Sequence, residues 1–114
     1  MPARNASETI AAAIDSILRQ TFTDLELIIV DDNSTDNTAE IAREYAVADE
    51  RVRVCALPDD DPERIGWNGT NINAGWAARN HGMERAESEW ITFQDSDDVS
   101  LLNRIRVQHD FAVK

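Results

Sequence analysis

Three carboxylates stand within four residues at Asp95, Asp97 and Asp98, directly after the apolar run Trp90–Gln94. Two unit charges about 5 Å apart repel by roughly 3 kcal/mol at an effective dielectric constant near 20, so this cluster requires open solvent or a cation. Carboxylates that leave coordination positions to water and a phosphate-bearing substrate are typical of Mg²⁺ or Mn²⁺ sites. The alternative is a solvated turn that caps the next helix, because Asp and Ser favour that position.

A second acidic pair, Asp31-Asp32, follows the apolar run Leu25–Val30. That run is rich in β-branched residues and is predicted to be a buried parallel strand, as is Trp90–Gln94. The carboxyl ends of parallel strands meet at one sheet edge, where ligands bind in open α/β sheets. We therefore expect both acid clusters to face one crevice, which favours a functional site over a helix cap.

The remaining elements are predicted from apolar periodicity. A strand is expected around Val52–Cys55, while Met1–Asn5 is judged too short and polar to be one, and Leu57–Asn71 is expected to be a long loop. Strands alternating with helices predict an α/β fold, a three-layer α/β/α sandwich with a mostly parallel Rossmann-like sheet. The first helix is expected to run from a cap at Asn5 or Ser7 to Gln20-Thr21; the others carry Thr38, Ile41, Ala42 and Tyr45, then Ala74, Ala77, Ala78 and His81, then Leu101, Leu102, Ile105, His109 and Ala112.

Length and composition bound the function. At 114 residues the chain is expected to be one domain, 1–114, and its net charge of −11 argues against nucleic-acid binding and against a polybasic membrane anchor. The single cysteine, Cys55, excludes an intramolecular disulfide and is predicted to be a buried, inert thiol. The N-terminus has no apolar signal-peptide core, which predicts a cytoplasmic location, with peripheral membrane attachment of a full-length protein left open.

Five motifs follow one another in order along the chain. They are Pro2-Ala3-Arg4-Asn5, then Ser16-Ile17-Leu18-Arg19-Gln20-Thr21-Phe22, then Glu26–Thr38 (ELIIVDDNSTDNT), then Asn73-Ala74-Gly75 with Ala77-Ala78-Arg79-Asn80-His81-Gly82, and finally Asp95-Ser96-Asp97. Together they resemble the glycosyltransferases of family 2, whose nucleotide-sugar-binding domain has the GT-A fold. The motifs depart from the family's usual pattern at Arg4, where tyrosine is common, and at Asn33, where glycine is usual but asparagine tolerates left-handed dihedral angles.

The resemblance implies roles for named residues. Asp32 would accept a hydrogen bond from the base of a nucleotide diphosphate sugar, with a UDP-sugar favoured. The turn from Pro2 through Arg4 to Asn5 would line the base pocket, where the Arg4 guanidinium either replaces the stacking of the tyrosine ring or the stacking is lost. Asp97 would ligate Mn²⁺ or Mg²⁺ bridging the diphosphate, and Asp95 would hold ribose or a metal-bound water, or share the metal.

Two further residues have alternative roles, and a third is expected to be structural. Asp98 is either a further ligand or, as favoured here, the cap of the next helix. Arg79 is either a phosphate contact or a partner in a salt bridge on the helix surface. Asp31 is expected to support the turn rather than to touch a ligand.

The resemblance also implies an incomplete enzyme. Members of the family take the general base and most of the acceptor site from the part after the D-x-D motif, so the base is expected beyond Lys114 and the domain is expected to be truncated. The predicted function is that of the donor-binding half-site of an inverting, metal-dependent glycosyltransferase, inactive in transfer alone, with a saccharide or lipid-linked acceptor. Exposed sheet edges leave homo-oligomerisation open.

Two alternatives remain. One is a non-catalytic nucleotide-binding or interaction domain. The other is a receiver-like signalling domain, which requires a lysine after a later strand, whereas Lys114 is the only lysine in the chain.

Overall fold

A computed structural model describes residues 1–59 and 75–114, and within them the chain forms a parallel three-stranded sheet with four helices. The predicted α/β fold is confirmed. The elements in chain order are β1 (Pro2–Ala3), α1 (Ile10–Leu18), β2 (Leu27–Asp31), α2 (Thr38–Ala48), β3 (Val52–Ala56), α3 (Trp76–Arg85) and α4 (Arg104–Ala112).

Strand β2 is the centre of the sheet, paired in parallel with β1 on one side and with β3 on the other. Its side chains alternate between two cores, as the pleat of a strand requires. Leu27 and Ile29 pack with α1 and α2, while Ile28 and Val30 face Ala77 and Ala78 of α3. Helices on both faces of a parallel sheet make the three layers expected from the sequence.

Helix α1 supplies much of the core because its apolar residues recur at helical spacing. Ile10, Ala13 and Ile14 are completely buried, and Ile17 is nearly so. The helix begins at Ile10, after Thr9, which is up to one turn later than the sequence predicts. It ends at Leu18, slightly earlier than predicted. Burial of these four apolar side chains stabilises this layer.

The first strand contradicts a sequence-based expectation. The sequence predicts that Met1–Asn5 is too short and polar to form a strand. In the structure, however, Pro2 and Ala3 pair with Val30 and Asp31. The pairing uses few groups: Met1 O accepts from Val30 N at 2.9 Å, and Ala3 O accepts from Asp32 N at 2.8 Å. Proline is tolerated because it lies at the first position of the strand and its missing N–H is not needed for these bonds.

The prediction of a strand at Trp90–Gln94 is also wrong, because this run is not a strand in the structure. Trp90, Ile91 and Phe93 remain 50%, 49% and 43% exposed. A strand is defined by its hydrogen-bonded neighbour, and among the described residues no strand pairs with this run. A cavity of about 640 Å³ is lined by this run together with residues of β2, α3 and α4.

Helix α4 is shorter than predicted and begins at Arg104, with Asn103 as its N-terminal flanking residue. Leu101 and Leu102 therefore precede the helix, and Asp98 is five residues too early to cap it, so that favoured reading is wrong. The predicted loop Leu57–Asn71 lies largely outside the described residues, as does Ala74 of the predicted third helix. None of the described helices has the length and apolar character needed to cross a membrane.

Cys55 on β3 is half-buried rather than fully buried. Burial raises the pKa of its thiol, which disfavours the reactive thiolate.

Candidate functional site

The carboxyl edge of the sheet opens into a crevice of about 650 Å³, called here the carboxyl-edge crevice. Side chains from the β1–α1 turn, the end of β2, the start of α3 and the acid loop Asp95–Asp98 meet there. One acid of the first cluster, Asp32, and two of the second, Asp95 and Asp97, therefore line the same crevice. Its lining includes every residue predicted at the site, namely Pro2, Arg4, Asn5, Asp32, Arg79, Asp95 and Asp97, together with Ala3, Ala6, Thr9, Gly75, Ala78 and Ser96.

Two loops are bonded together at the base of the crevice. Asn5 and Asn33 both adopt left-handed backbone angles, with φ of 49° and 54°. The Asn5 side chain accepts a hydrogen bond from Thr35 N at 2.8 Å, and Asn5 N donates to the Ser34 hydroxyl at 3.0 Å. Asparagine tolerates this conformation better than most residues, which explains how Asn33 can stand where the family favours glycine.

Asp32 is 4% exposed at the end of β2. Its Oδ2 lies 3.8 Å from Arg4 Nη1, so the Arg4 guanidinium faces the acid that the resemblance assigns to the base. The neighbouring Asp31 accepts a hydrogen bond from Ser34 N at 3.4 Å, in agreement with a role in the turn. One of its oxygens, Oδ1, is buried with no hydrogen-bond partner.

The acid loop has the donor set of a hard-cation site. Asp95, Asp97 and Asp98 each offer a carboxylate oxygen, and these oxygens lie within 4.8 Å of one another. The loop closes on itself through a hydrogen bond from Asp98 N to Asp95 O at 3.3 Å. Asp97 and Asp98 are exposed, which leaves room for water and phosphate oxygens, so the residues fit Mg²⁺ or Mn²⁺. Asp98 is thus positioned with the ligand set and not at a helix start.

Buried amide and hydroxyl groups hold the acid loop in place, and this clamp was missed from the sequence. Gln94 is 8% exposed and donates to Asp98 O at 2.7 Å. Gln20, 2% exposed, donates to Leu101 O at 2.7 Å and accepts from Ile105 N at 3.0 Å. Ser16 accepts from Ser100 N at 3.1 Å. The sequence does contain a sign of this clamp. Ser16 and Gln20 are polar residues four positions apart on the otherwise apolar face of the first predicted helix.

Arg79 reaches the acid loop from α3. Its Nη2 donates to Asp95 Oδ1 at 2.7 Å, which makes it an ion-pair partner across the crevice. Gly75 before the helix has φ of +90°, and a Cβ there would lie 3.3 Å from Arg79 Nη1. Gly82 in the same helix lets α3 approach the sheet, because a Cβ would lie 3.3 Å from Val30 Cγ2. Gly75 thus leaves room for the Arg79 side chain, and Gly82 leaves room for β2.

Two cationic groups beside the site have lowered pKa values. The Met1 amino group donates to Ile28 O at 2.8 Å, and burial, followed by the positive charge of Arg79, lowers its pKa to about 6. Arg104 donates to Phe93 O at 3.0 Å, and burial lowers the pKa of its guanidinium. Burial lowers both pKa values because it disfavours the charged form of each group.

Comparison with known proteins supports the reading of the motifs. The chain is 34% identical to the Escherichia coli UDP-Glc:alpha-D-GlcNAc-diphosphoundecaprenol beta-1,3-glucosyltransferase WfgD over 116 residues, covering 100% of this chain and 40% of WfgD. It is 34% identical to the glycosyltransferase GlyG of Streptococcus pneumoniae over 105 residues, covering 92% of this chain and 31% of GlyG. The chain therefore spans well under half the length of these relatives.

The fold also matches a solved structure. The S. aureus TarS fragment 1–349 in complex with UDP superimposes with a TM-score of 0.76 at 28% identity, covering 98% of this chain and 30% of that chain. Residues 1–66, more than half of the chain, match the model of glycosyl transferase family 2. With the motifs in order, the crevice built from them and this match, the chain belongs to glycosyl transferase family 2.

Proposed function

We propose that this chain carries the donor-binding half-site of a metal-dependent, inverting glycosyltransferase. Its ligand is a nucleotide diphosphate sugar, with a UDP-sugar favoured. The observation that carries the proposal is the convergence of Asp32, Asp95 and Asp97 in one crevice together with Arg4 and Arg79. Three carboxylates alone would repel a diphosphate, whereas carboxylates with arginines and a divalent cation can hold one.

Two groups of lining residues suit different parts of the donor. Asp32 is held at the sheet edge as a hydrogen-bond acceptor for a base N–H, beside the turn Pro2–Asn5. The acid loop lines the same crevice, and Mn²⁺ or Mg²⁺ on Asp97 and Asp95 would supply Lewis-acid neutralisation of a leaving diphosphate. Gln94 donates a hydrogen bond to Asp98 O and so fixes the backbone of the loop that carries these carboxylates.

Acceptor chemistry is proposed to depend on parts of the relatives that this chain does not span. The chain covers 40% of WfgD, and we assign the general base and the acceptor site to the remainder of such a longer protein. The name of WfgD describes transfer to a lipid-linked sugar, which supports an acceptor of that class. The chain alone is expected to bind a donor without transferring its sugar.

Calorimetric titration tests the donor half-site. UDP and GDP are titrated into the protein with and without Mn²⁺, and we expect binding of UDP that depends on the metal. Asp97→Ala should weaken this binding by about tenfold or more, because it removes a direct ligand. Glu84→Ala on α3 is the matched control, since Glu84 is 76% exposed and pairs only loosely with Arg85, at 3.8 Å.

Two outcomes would contradict the proposal. Absence of nucleotide binding at millimolar concentration would leave the chain as a non-catalytic interaction domain. Sugar transfer to an acceptor by the isolated chain would show that the general base lies within it.

A further inference from the structure

Arg79 and Asp95 form an ion pair that joins α3 to the acid loop. Arg79 Nη2 and Asp95 Oδ1 lie 2.7 Å apart, and the two side chains are 30% and 46% exposed. Both residues line the carboxyl-edge crevice. The contact therefore lies inside the proposed donor site and is only partly screened by solvent.

The pair uses an oxygen of the same carboxylate that the acid loop offers to a cation. Asp95 is one of the three acids whose oxygens come within 4.8 Å of one another. A divalent cation held there would stand close to the guanidinium, and like charges repel. Arg79 and the cation therefore compete for Asp95, since a carboxylate that is already neutralised is a weaker metal ligand.

The donor offers Arg79 a second anionic partner. A guanidinium is a planar fork of N–H donors that matches the oxygens of a diphosphate, and it keeps its charge at any relevant pH. The lining of the crevice has three carboxylates, Asp32, Asp95 and Asp97, against the two guanidiniums of Arg4 and Arg79. A dication on the acid loop reverses the sign of that balance and so favours a diphosphate beside Arg79.

We infer that Arg79 is an exchangeable counterion of the site. It neutralises Asp95 in the empty crevice and moves to the diphosphate when the divalent cation takes Asp95. The inference rests on the proposed donor site and adds a coupling to it. Because coupling between two ligands is reciprocal, metal and nucleotide each raise the affinity for the other by the same factor, and part of that factor passes through Arg79.

The test separates the two affinities in one variant. Binding of Mn²⁺ alone is measured by electron paramagnetic resonance, and binding of UDP at saturating Mn²⁺ by calorimetry. In Arg79→Gln, Mn²⁺ alone should bind about fivefold tighter, since its competitor is gone, while UDP with Mn²⁺ should bind about tenfold weaker. The factor by which Mn²⁺ strengthens UDP binding should fall accordingly.

Two further variants guard against loss of the fold. Arg79→Lys keeps the charge, so its Mn²⁺ affinity should stay within about twofold of the unsubstituted chain, although UDP binds less well without the fork. Arg85→Gln, at the end of the same helix and with its side chain 44% exposed, should change neither affinity. Far-ultraviolet circular dichroism of all three checks that α3 remains intact.

The outcomes are distinct. Unchanged or weaker Mn²⁺ binding by a folded Arg79→Gln overturns the exchange, even if UDP binding falls, because Arg79 is then only a phosphate contact or a structural pair. Failure of the unsubstituted chain to bind Mn²⁺ and UDP at all overturns the proposed function and the exchange with it. The exchange is therefore tested by the Arg79→Gln variant, whereas the proposed function is tested by the unsubstituted chain alone.

Discussion

At the scale of single residues, Asp36 ties together the loops beneath the carboxyl-edge crevice. Its Oδ1 accepts hydrogen bonds from the hydroxyl and the backbone N–H of Thr38, and its Oδ2 accepts one from Ser7 N at 3.2 Å. These bonds favour the charged carboxylate. They lower the pKa of Asp36 to about 2, chiefly through the Thr38 hydroxyl.

This shift predicts a pH dependence of stability. A carboxyl group whose pKa is lower in the folded chain stabilises it fully above the unfolded pKa of about 4, and the contribution is lost as the pH falls toward 2. Thermal unfolding followed from pH 5 to pH 2 should show the midpoint falling through this window. Asp36→Asn should flatten that part of the profile.

Asp110→Asn serves as the control, because Asp110 is exposed on α4 and its nearest partner is His109 at 3.7 Å. An Asp36→Asn profile parallel to that of the control would show that the bonds to Thr38 and Ser7 do not stabilise the fold.

What could be predicted of the site at this scale follows from how local each feature is. The Asp32-Asn33 turn could be predicted because its acidic residue, its left-handed residue and the strand before it are adjacent in the sequence. The capping role given to Asp98 failed because the helix start depends on where α4 packs, and it begins at Arg104. The contact of Arg79 with Asp95 spans 16 positions, so only the fold reveals it.

At the scale of elements, β2 and the run Trp90–Gln94 are both predicted to be strands from the sequence, but only β2 is one. Strand β2 has a neighbour on each side and a helix layer on each face, so Ile29 is completely buried. Ile91 in the other run is 49% exposed. Composition predicts which segments can be strands, but pairing is a long-range property, and no described strand lies beside Trp90–Gln94.

This difference predicts unequal costs for the same substitution. Ile29→Ala removes a buried side chain and leaves a cavity, so it should lower the free energy of unfolding by about 2–5 kcal/mol. Ile91→Ala should lower it by about 1 kcal/mol or less, because half of the side chain is already in water. Urea denaturation followed by circular dichroism measures both. Equal losses would mean that Trp90–Gln94 is a buried strand in solution, as the sequence first suggested.

At the scale of the whole molecule, the surface combines high negative charge with many exposed apolar side chains. The net charge is −11. None of the residues of α4 is buried, although its apolar spacing predicts a packed helix. The exposed apolar side chains of this helix and of the residues just before and after it, called here the α4 patch, are Val99, Leu101, Leu102, Val107, Phe111 and Val113. An amphipathic pattern shows that a face is apolar but not what covers it.

The α4 patch predicts self-association that is opposed by charge. At about 0.15 M salt the screening length is about 8 Å, and it falls to about 3 Å at 1 M, so added salt should promote association by weakening repulsion between copies. Leu101→Ser with Phe111→Ser should reduce this association and the binding of an apolar dye. The two side chains are 79% and 81% exposed, so stability should change little.

Sedimentation velocity across protein and salt concentrations measures the effect, with Val47→Ser as the matched control. Val47 is 91% exposed, but it lies on α2 and outside the α4 patch, so its loss should leave association unchanged. A chain that stays monomeric at every salt concentration, or a double variant that associates as the control does, would contradict the prediction. Isolated exposed apolar residues are ordinary on protein surfaces, and only a contiguous patch should drive copies together.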